Sequence, residues 1–289
     1  MIRIPLPRVS SREAYAACLE MIKDPETKEA YEAAIEFVEN CVSQFERHAQ
    51  TQDLHLLDSC DFRPESDSKL AITSKDLSDK LYTDRMAHAK SSGRRIYDQI
   101  QLAAPNGVCP LCGIRRVTTL DHYLPKASFA ALSVAPLNLI PACSDCNKFK
   151  LDVAPTIKEE QTLIPYFEDA SDVQWLRCDV ITEKPATVWF TVVDPPHYPT
   201  TLINRLRHHF KVFRLGELYA HHANTDMRSI RMVLRGLFES LGPQGVRDYL
   251  KDHAKSAYEA EGGRWKSAMY NALAESDWYC RGGFDAQAI

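Results

Sequence analysis

The sequence predicts a mostly helical protein, α+β overall, with a small cysteine-bearing module near its middle. The chain has 289 residues, of which 45% are hydrophobic and 26% charged, which is typical of a folded globular protein rather than a disordered or fibrous one. Apolar residues recur at helical spacing on both sides of a central stretch that glycine and proline divide into short pieces. We therefore expect three regions: an N-terminal helical region over 1–104, a central module over 105–151, and a mainly helical C-terminal domain with one or two strands over 152–289.

Three helical stretches are expected in the N-terminal region. Ser10 and Glu13 have the spacing of a capping box, which predicts a helix from there to about Ile22. Apolar residues on one helical face predict a second helix over 26–49, and a further helical region covers 74–104 with a candidate break at 91–93. The stretch over 51–73 lacks a sustained period and indicates a connector.

The remaining elements are expected to be short strands in the middle and long helices at the end. Strands are predicted over 116–120 and 137–140, a helix from 144 to about 151, and a β-branched strand over 186–193 that two prolines end. Four helices then follow, separated by glycine or small polar residues, over 201–222, 225–241, 244–260 and 264–279.

Charge is distributed unevenly along the chain. The net charge of −4 divides into −6 over 1–70, +5 over 71–151 and −3 over 152–289, so the middle is the basic part. A basic region suits contact with nucleic acid. Seven arginine or lysine residues over 200–235 form either a second nucleic-acid surface or a solvated helix face, and the sequence leaves both interpretations open.

Several classes of protein lack support in the sequence. No apolar run is long enough for a bilayer-spanning helix, and the N-terminus has no apolar core of a secretory signal, so we expect a cytoplasmic protein without a membrane partner. Serine-hydrolase, Walker A and dinucleotide-binding motifs are also absent from the sequence.

Four of the nine cysteines predict a metal site. Cys109 and Cys112 form one Cys-x-x-Cys pair, and Cys143 and Cys146 form another. Two such pairs can enclose a tetrahedral Zn²⁺, and a site filled by four protein ligands is structural because no position remains for water or substrate. Two alternatives remain open: the pairs are unconnected, or they belong to a thiol redox protein.

Polar residues between and after these pairs complete a larger pattern. Asp121 and His122 follow a predicted strand, Asn138 precedes the second cysteine pair, and Asn147 follows it directly. Residues 109–151 resemble the HNH endonuclease family, whose ββα-metal fold has a histidine at the end of its first strand, an asparagine before the second cysteine pair, and histidine or asparagine on the helix. The resemblance implies metal-dependent hydrolysis of DNA at the P–O3′ bond, which leaves 5′-phosphate ends.

The chemistry of phosphodiester hydrolysis suggests a role for each of these residues. A neutral His122 would take a proton from the attacking water as general base. Asp121 and Asn147 offer hard oxygen ligands that favour a catalytic Mg²⁺ or Mn²⁺. By family analogy, Asn138 would tie the loop together and orient His122. Candidate nucleic-acid contacts are Lys126, Lys150, Arg115 and Arg116.

The resemblance extends more weakly to the whole chain. The strings DHYLPK, NLIPACSDCNKFK and ESDWYCRGGF are similar to those of stand-alone bacterial HNH proteins, some of which act as nuclease effectors of anti-phage defence beside an ATPase or sensor. That resemblance implies DNA and such a neighbouring protein as partners. The main alternative is a non-catalytic zinc-ribbon protein that binds nucleic acid or serves as a scaffold, which would have no use for Asp121, His122 and Asn147 together.

Overall fold

A computed structural model describes residues 1–59 and 72–286 and divides the chain into two compact units, 1–169 and 170–289. Within the described residues, helices dominate both units and each unit holds a two-stranded antiparallel sheet. The predicted mostly helical class with some β structure is therefore confirmed. Most of the connector predicted over 51–73 lies outside the described residues.

The first helices of the N-terminal unit follow local sequence signals. Helix α1, Ser11–Leu19, begins at the predicted capping box: the Ser10 hydroxyl accepts a hydrogen bond from the Glu13 amide at 3.2 Å, and the Glu13 carboxylate accepts one from the Ser10 amide at 2.8 Å. The single helix predicted over 26–49 is instead two helices, α2, Pro25–Ala33, and α3, Ile35–Thr51. They separate at Ala34, whose amide bonds to the Tyr31 carbonyl three residues back and so tightens the turn.

The next helical region is broken where the sequence predicts. A π-helix covers Asp76–Ala87 and helix α4 covers Arg94–Leu102. Gly93 lies directly before α4, where a Cβ atom would collide with the Arg85 carbonyl oxygen and lie 2.9 Å from the Cys18 sulfur. The close approach of these segments therefore requires glycine at this position.

The central segment folds as two strands followed by a helix. Strand β1, Thr119–His122, pairs antiparallel with β2, Leu139–Ala142, so that His122 lies opposite Leu139, and helix α5, Ser144–Lys150, follows. Both strands lie about two residues beyond their predicted positions. Strand β1 begins later than predicted because Arg116 forms a separate β-bridge with Val108 and does not join the strand.

This central segment is part of the N-terminal unit rather than a separate body. Helix α4 packs against both β1 and β2. The chain's first residues also bind here: the Ile2 amide donates to the Pro110 carbonyl at 2.9 Å and the Ile4 amide to the Pro165 carbonyl at 3.0 Å. Residues 1–104 and 105–151 thus share one compact unit, because the short central elements gain their apolar cover from the N-terminal helices.

The C-terminal unit contains the other sheet and the longest helices. Strand β3, Leu176–Ile181, pairs antiparallel with β4, Thr187–Val192, which confirms the strand predicted over 186–193. The helices are α6, Thr200–Val212; α7, Leu215–Glu261; α8, Trp265–Glu275; and the short α9, Asp277–Cys280.

The predicted break between helices near 223–224 is wrong. Helix α7 runs through it, because Ala223 is fully buried and the Asn224 side chain accepts a hydrogen bond from the Thr187 hydroxyl at 3.0 Å. The separation falls earlier, at Arg214, which has a φ of +50°. The second predicted break does exist as a kink in α7 at Gly242, which has a φ of +67° and precedes Pro243. Among the described residues, no helix is both long and apolar enough to cross a membrane.

Candidate functional site

The four cysteines of the two Cys-x-x-Cys pairs meet in one buried cluster. The Sγ atoms of Cys109, Cys112, Cys143 and Cys146 all lie within 4.8 Å of one another, and none of the four residues forms a disulfide. Each is at most 3% exposed. The first pair precedes β1, while the second follows β2 and begins α5, so the strand pairing brings the two pairs together.

The geometry of this cluster fits a structural Zn²⁺. Four sulfurs at about 2.3 Å from a tetrahedral Zn²⁺ would lie about 3.8 Å apart, which is compatible with sulfurs that all lie within 4.8 Å of one another. Backbone amides already approach two sulfurs, from Cys146 to Cys143 and from Arg115 to Cys112, each at 3.4 Å. Hydrogen bonds among the four sulfurs lower the pKa of Cys112 and Cys143 and raise the pKa of Cys109 and Cys146, so the thiols interact as one group.

Asp121 and His122 are the last two residues of strand β1, which follows the first cysteine pair and pairs with β2 before the second. Successive residues of a strand project to opposite faces. Accordingly, the Asp121 carboxylate lies beside Lys150 of α5, while the His122 ring contacts Ser133 and Tyr82. The two neighbouring residues thus enter different surroundings, as separate roles would require.

The position of the His122 ring defines its tautomer. Its Nε2 lies 2.8 Å from the Ser133 carbonyl oxygen, which can only accept, so Nε2 carries the hydrogen. Burial lowers the pKa of His122 to about 4, although the hydrogen bond to Ser133 opposes that shift. The imidazole is therefore neutral at pH 7, with Nδ1 as its proton acceptor.

Asp121 is a buried carboxylate with one cationic neighbour. Its side chain is 6% exposed, and Oδ2 lies 3.6 Å from the Nζ of Lys150, whose side chain is 7% exposed. Burial raises the pKa of Asp121 to about 7, although the Lys150 charge acts in the opposite direction. A buried carboxylate with so high a pKa is typical of functional sites and also of structural ion pairs.

Asn138 ties the loop between the strands to its own base. The side-chain oxygen accepts a hydrogen bond from the Leu124 amide at 2.8 Å, and the side-chain nitrogen donates to the carbonyls of Leu124 and Leu132 at 3.0 and 3.2 Å. The residue is fully buried. Its side-chain amide therefore fixes the backbone of the loop between His122 and Ser133, whose carbonyl contacts the His122 ring.

Asn147 lies on the face of α5 that is turned towards β1. It is half-buried and precedes Lys150 by three residues, and residues three apart lie on the same side of a helix. Since Lys150 contacts Asp121 and also donates to the His122 carbonyl at 2.6 Å, that side of α5 faces the end of β1. Asn147 is thus on the same side of the helix as the contacts to both strand residues.

The four candidate nucleic-acid contacts have different surroundings. Lys126 donates to the Asp79 carboxylate at 2.6 Å, and Arg115 pairs with Asp145 at 3.0 Å. Arg116 is exposed. Lys150 is buried, and its ammonium group contacts the Asp121 carboxylate and the His122 carbonyl instead of projecting from the surface.

Several arginines of the basic stretch over 200–235 are buried or form ion pairs within their own unit. Arg207 pairs with Asp194 at 2.6 Å, and both Arg231 and Arg235 approach Asp285, at 3.3 and 2.7 Å. Arg205 is fully buried. These contacts favour a structural role for these four arginines over a free nucleic-acid surface.

Two neighbours of the histidine, Ser133 and Tyr82, are not among the sequence-based predictions. The Tyr82 ring meets the His122 ring with centroids 4.4 Å apart and planes inclined by 68°. Tyr82 precedes His122 by 40 residues and lies in a segment whose sequence suggests only a helix. Ser133 contributes a backbone carbonyl, which any residue type could supply, so neither contact has a recognisable sequence signal.

Comparison with known proteins gives one distant relative. The chain is 27% identical to Protein ea31 of Escherichia phage lambda over 220 residues, which cover 71% of this chain and 73% of that protein. No protein-family model and no solved structure matches the chain.

Proposed function

We propose that this protein is a metal-dependent endonuclease of the HNH type that hydrolyses DNA phosphodiester bonds. The observation that carries the proposal is the state of His122: a neutral imidazole whose Nε2 is fixed by the Ser133 carbonyl, next in the chain to a buried carboxylate. The antiparallel strands β1 and β2, the helix α5 and the four-cysteine cluster support it, since they present the same order of parts as the ββα-metal fold.

His122 would act as the general base. Its Nδ1 takes a proton from a water molecule, the water oxygen attacks phosphorus, and the P–O3′ bond breaks. The departing O3′ takes up a proton from solvent, so the products are a 5′-phosphate and a 3′-hydroxyl end. The Ser133 carbonyl stabilises the imidazolium that forms, because it accepts the Nε2 hydrogen throughout. Asn138 maintains this arrangement by holding the loop that presents Ser133.

Asp121 and Asn147 would hold the catalytic Mg²⁺ or Mn²⁺. A carboxylate and an amide oxygen are the hard ligands that these ions prefer, and the half-buried Asn147 shares its helix face with the contacts to Asp121. When bound, such a cation neutralises charge on the phosphate and on the leaving oxygen. The cysteine cluster has a separate task, since four thiolates would enclose a structural Zn²⁺ and fix the ends of β1 and α5.

DNA is proposed as the substrate because of the family resemblance and the net charge of +5 over 71–151. A total charge of −4 suits a nuclease that binds DNA weakly by itself, since nonspecific affinity grows with the number of phosphates neutralised. On the same resemblance, we propose an anti-phage effector role in which an ATPase or sensor protein delivers or activates the enzyme.

A non-catalytic zinc-ribbon scaffold is the second candidate, and one observation favours it. The Lys150 ammonium compensates the Asp121 charge, while Lys126 and Arg115 are paired with carboxylates of the same unit. Such pairing is also found in purely structural ion networks. This candidate predicts bound zinc without any cleavage.

Cleavage of supercoiled plasmid tests the proposal. Purified protein would be incubated with Mg²⁺ or Mn²⁺, and parallel reactions would contain the His122→Ala variant or EDTA. His221→Ala is a matched control, because His221 is exposed on α7 in the other unit. We expect cleavage by the wild type and by His221→Ala, and none by His122→Ala or with EDTA. Equal activity of His122→Ala and the wild type would contradict the assignment of the base, and an inactive wild type with one bound Zn²⁺ would favour the scaffold.

A further inference from the structure

The π-helix over Asp76–Ala87 contacts the histidine and its loop at three points. The Leu77 carbonyl accepts a hydrogen bond from the Ser133 hydroxyl at 2.7 Å, the Asp79 carboxylate accepts one from Lys126 at 2.6 Å, and the Tyr82 ring lies against the His122 ring. π-helical geometry is rare and is frequently found at functional sites. The π-helix therefore contacts the candidate site directly, in addition to covering the core.

Ser133 connects the π-helix to the histidine through both of its oxygen atoms. Its carbonyl oxygen accepts from His122 Nε2, and its hydroxyl donates to the Leu77 carbonyl. The residue is 1% exposed, so both bonds lie away from solvent, where hydrogen bonds are strongest. The group that determines the tautomer of His122 is thus itself held by the π-helix.

Tyr82 restrains the His122 ring from a second direction. The inclination of 68° at a centroid distance of 4.4 Å is an edge-to-face arrangement, which is favourable between aromatic rings and restricts rotation of either one. A flip of the imidazole about its Cβ–Cγ bond would exchange Nε2 with Cε1 and Nδ1 with Cδ2, and would break the bond to Ser133. The Tyr82 contact and the Ser133 bond together leave one ring orientation, in which Nδ1 is the proton acceptor.

We infer that Tyr82 is a positioning residue for His122: its ring keeps the imidazole in the orientation that a general base requires. The inference rests on the proposed nuclease function for its effect on catalysis, but the orientation of the ring can be measured without any activity. The part of Tyr82 that matters is the ring rather than the hydroxyl, since the contact is between two rings.

The test compares three substitutions at Tyr82. Tyr82→Phe keeps the ring, Tyr82→Leu keeps much of the volume without a flat ring, and Tyr82→Ala removes both. Lys80→Ala is the matched control, because Lys80 lies on the same π-helix with a side chain that is 68% exposed. Zinc content and circular dichroism identify any variant that does not fold, and Tyr82→Leu decides the matter if Tyr82→Ala fails this check.

Two measurements are made on each folded variant. In steady-state cleavage we expect kcat to fall about 100-fold in Tyr82→Ala and Tyr82→Leu with KM unchanged, since a displaced base costs rate rather than binding. Tyr82→Phe and Lys80→Ala should keep the wild-type kcat. In long-range proton–nitrogen NMR spectra, assigned with His122→Ala, the single Nε2–H tautomer of the wild type and of Tyr82→Phe should become a mixture in Tyr82→Leu.

The outcomes separate the inference from the proposed function. If the wild type cleaves DNA and Tyr82→Leu has the same kcat and the same single tautomer, the inference is wrong. If no form cleaves DNA, the nuclease proposal fails, and the NMR comparison alone decides whether Tyr82 orients His122. A tautomer mixture in Tyr82→Leu then supports the positioning role, and an unchanged tautomer overturns it.

Discussion

The Nε2 atom of His122 lies 2.8 Å from the carbonyl oxygen of Ser133, eleven residues further along the chain. Because a carbonyl can only accept, this contact assigns the hydrogen to Nε2 and leaves Nδ1 as the acceptor. It also explains why the loop between β1 and β2 needs a defined conformation: the loop presents the group that orients the ring.

The cysteine cluster should determine the zinc content of the protein. Cys109→Ser removes one of four ligands, so we expect loss of the bound Zn²⁺ and a lower midpoint of thermal unfolding, because binding of a structural Zn²⁺ contributes directly to folding. Inductively coupled plasma mass spectrometry measures the zinc. Cys178→Ser, at a buried cysteine outside the cluster, should keep it. Full zinc content in Cys109→Ser would argue against a four-cysteine site.

Asn138 should be needed for the stability of the loop. Asn138→Ala leaves the Leu124 amide and two carbonyls without their buried partner, which should lower the free energy of unfolding by about 2 kcal/mol or more. Asn138→Asp should destabilise at least as much, because an ionised carboxylate cannot donate to those carbonyls. Urea denaturation measures both effects. A change as small as that expected of the half-buried Asn147→Ala control would show that the loop does not depend on this amide.

Lys150 should stabilise the protein through Asp121 when no metal is bound. Lys150→Met removes the cation that lowers the pKa of the buried Asp121 carboxyl, so in metal-free buffer that pKa should rise above about 7 and the variant should lose stability relative to the wild type as the pH rises above that value. Under the proposed function, added Mg²⁺ should restore part of that loss by binding the same carboxylate. Thermal unfolding with and without Mg²⁺ provides the comparison, and Lys148→Met, at an exposed position on the same helix, is the control. Equal stability of the two variants would be evidence against the buried ion pair.

Asp121 should be required for binding of the catalytic cation. Titration calorimetry with Mn²⁺ on zinc-loaded protein should give a binding signal for the wild type, a weaker one for Asn147→Ala and none for Asp121→Asn, since the carboxylate supplies the negative charge. Asp84→Asn, at an exposed position on the π-helix, should bind as the wild type does. Unchanged Mn²⁺ affinity in Asp121→Asn would mean that any cation binds elsewhere.

The features that could be predicted from sequence are those with local signals. The capping box at Ser10, the break before Gly93 and the strand over 187–192 all depend on residues close together in the chain. The two cysteine pairs are far apart in the chain, but each pair has a local spacing that indicates a shared site. The positions of Asp121 and His122 at a strand end follow from the same kind of pattern.

Features that depend on distant contacts could not be predicted. The Tyr82 ring reaches His122 across 40 residues, and the length of α7 depends on the burial of Ala223 in a stretch that resembles a polar break. The burial of Lys150, in contrast, could have been predicted from the sequence. This residue follows the buried Cys146 by four residues on one helix, so the two share a face, whereas Lys148 projects to solvent.

The most direct test of the central claim is the rate of DNA cleavage by His122→Ala at full zinc content. A linear duplex would be incubated with Mg²⁺ and either wild type or variant, and the new ends would be analysed for 5′-phosphate. The account predicts cleavage by the wild type with 5′-phosphate ends and a rate at least about 100-fold lower for the variant, the usual contribution of a general base. Cleavage by the zinc-loaded variant at the wild-type rate would contradict it.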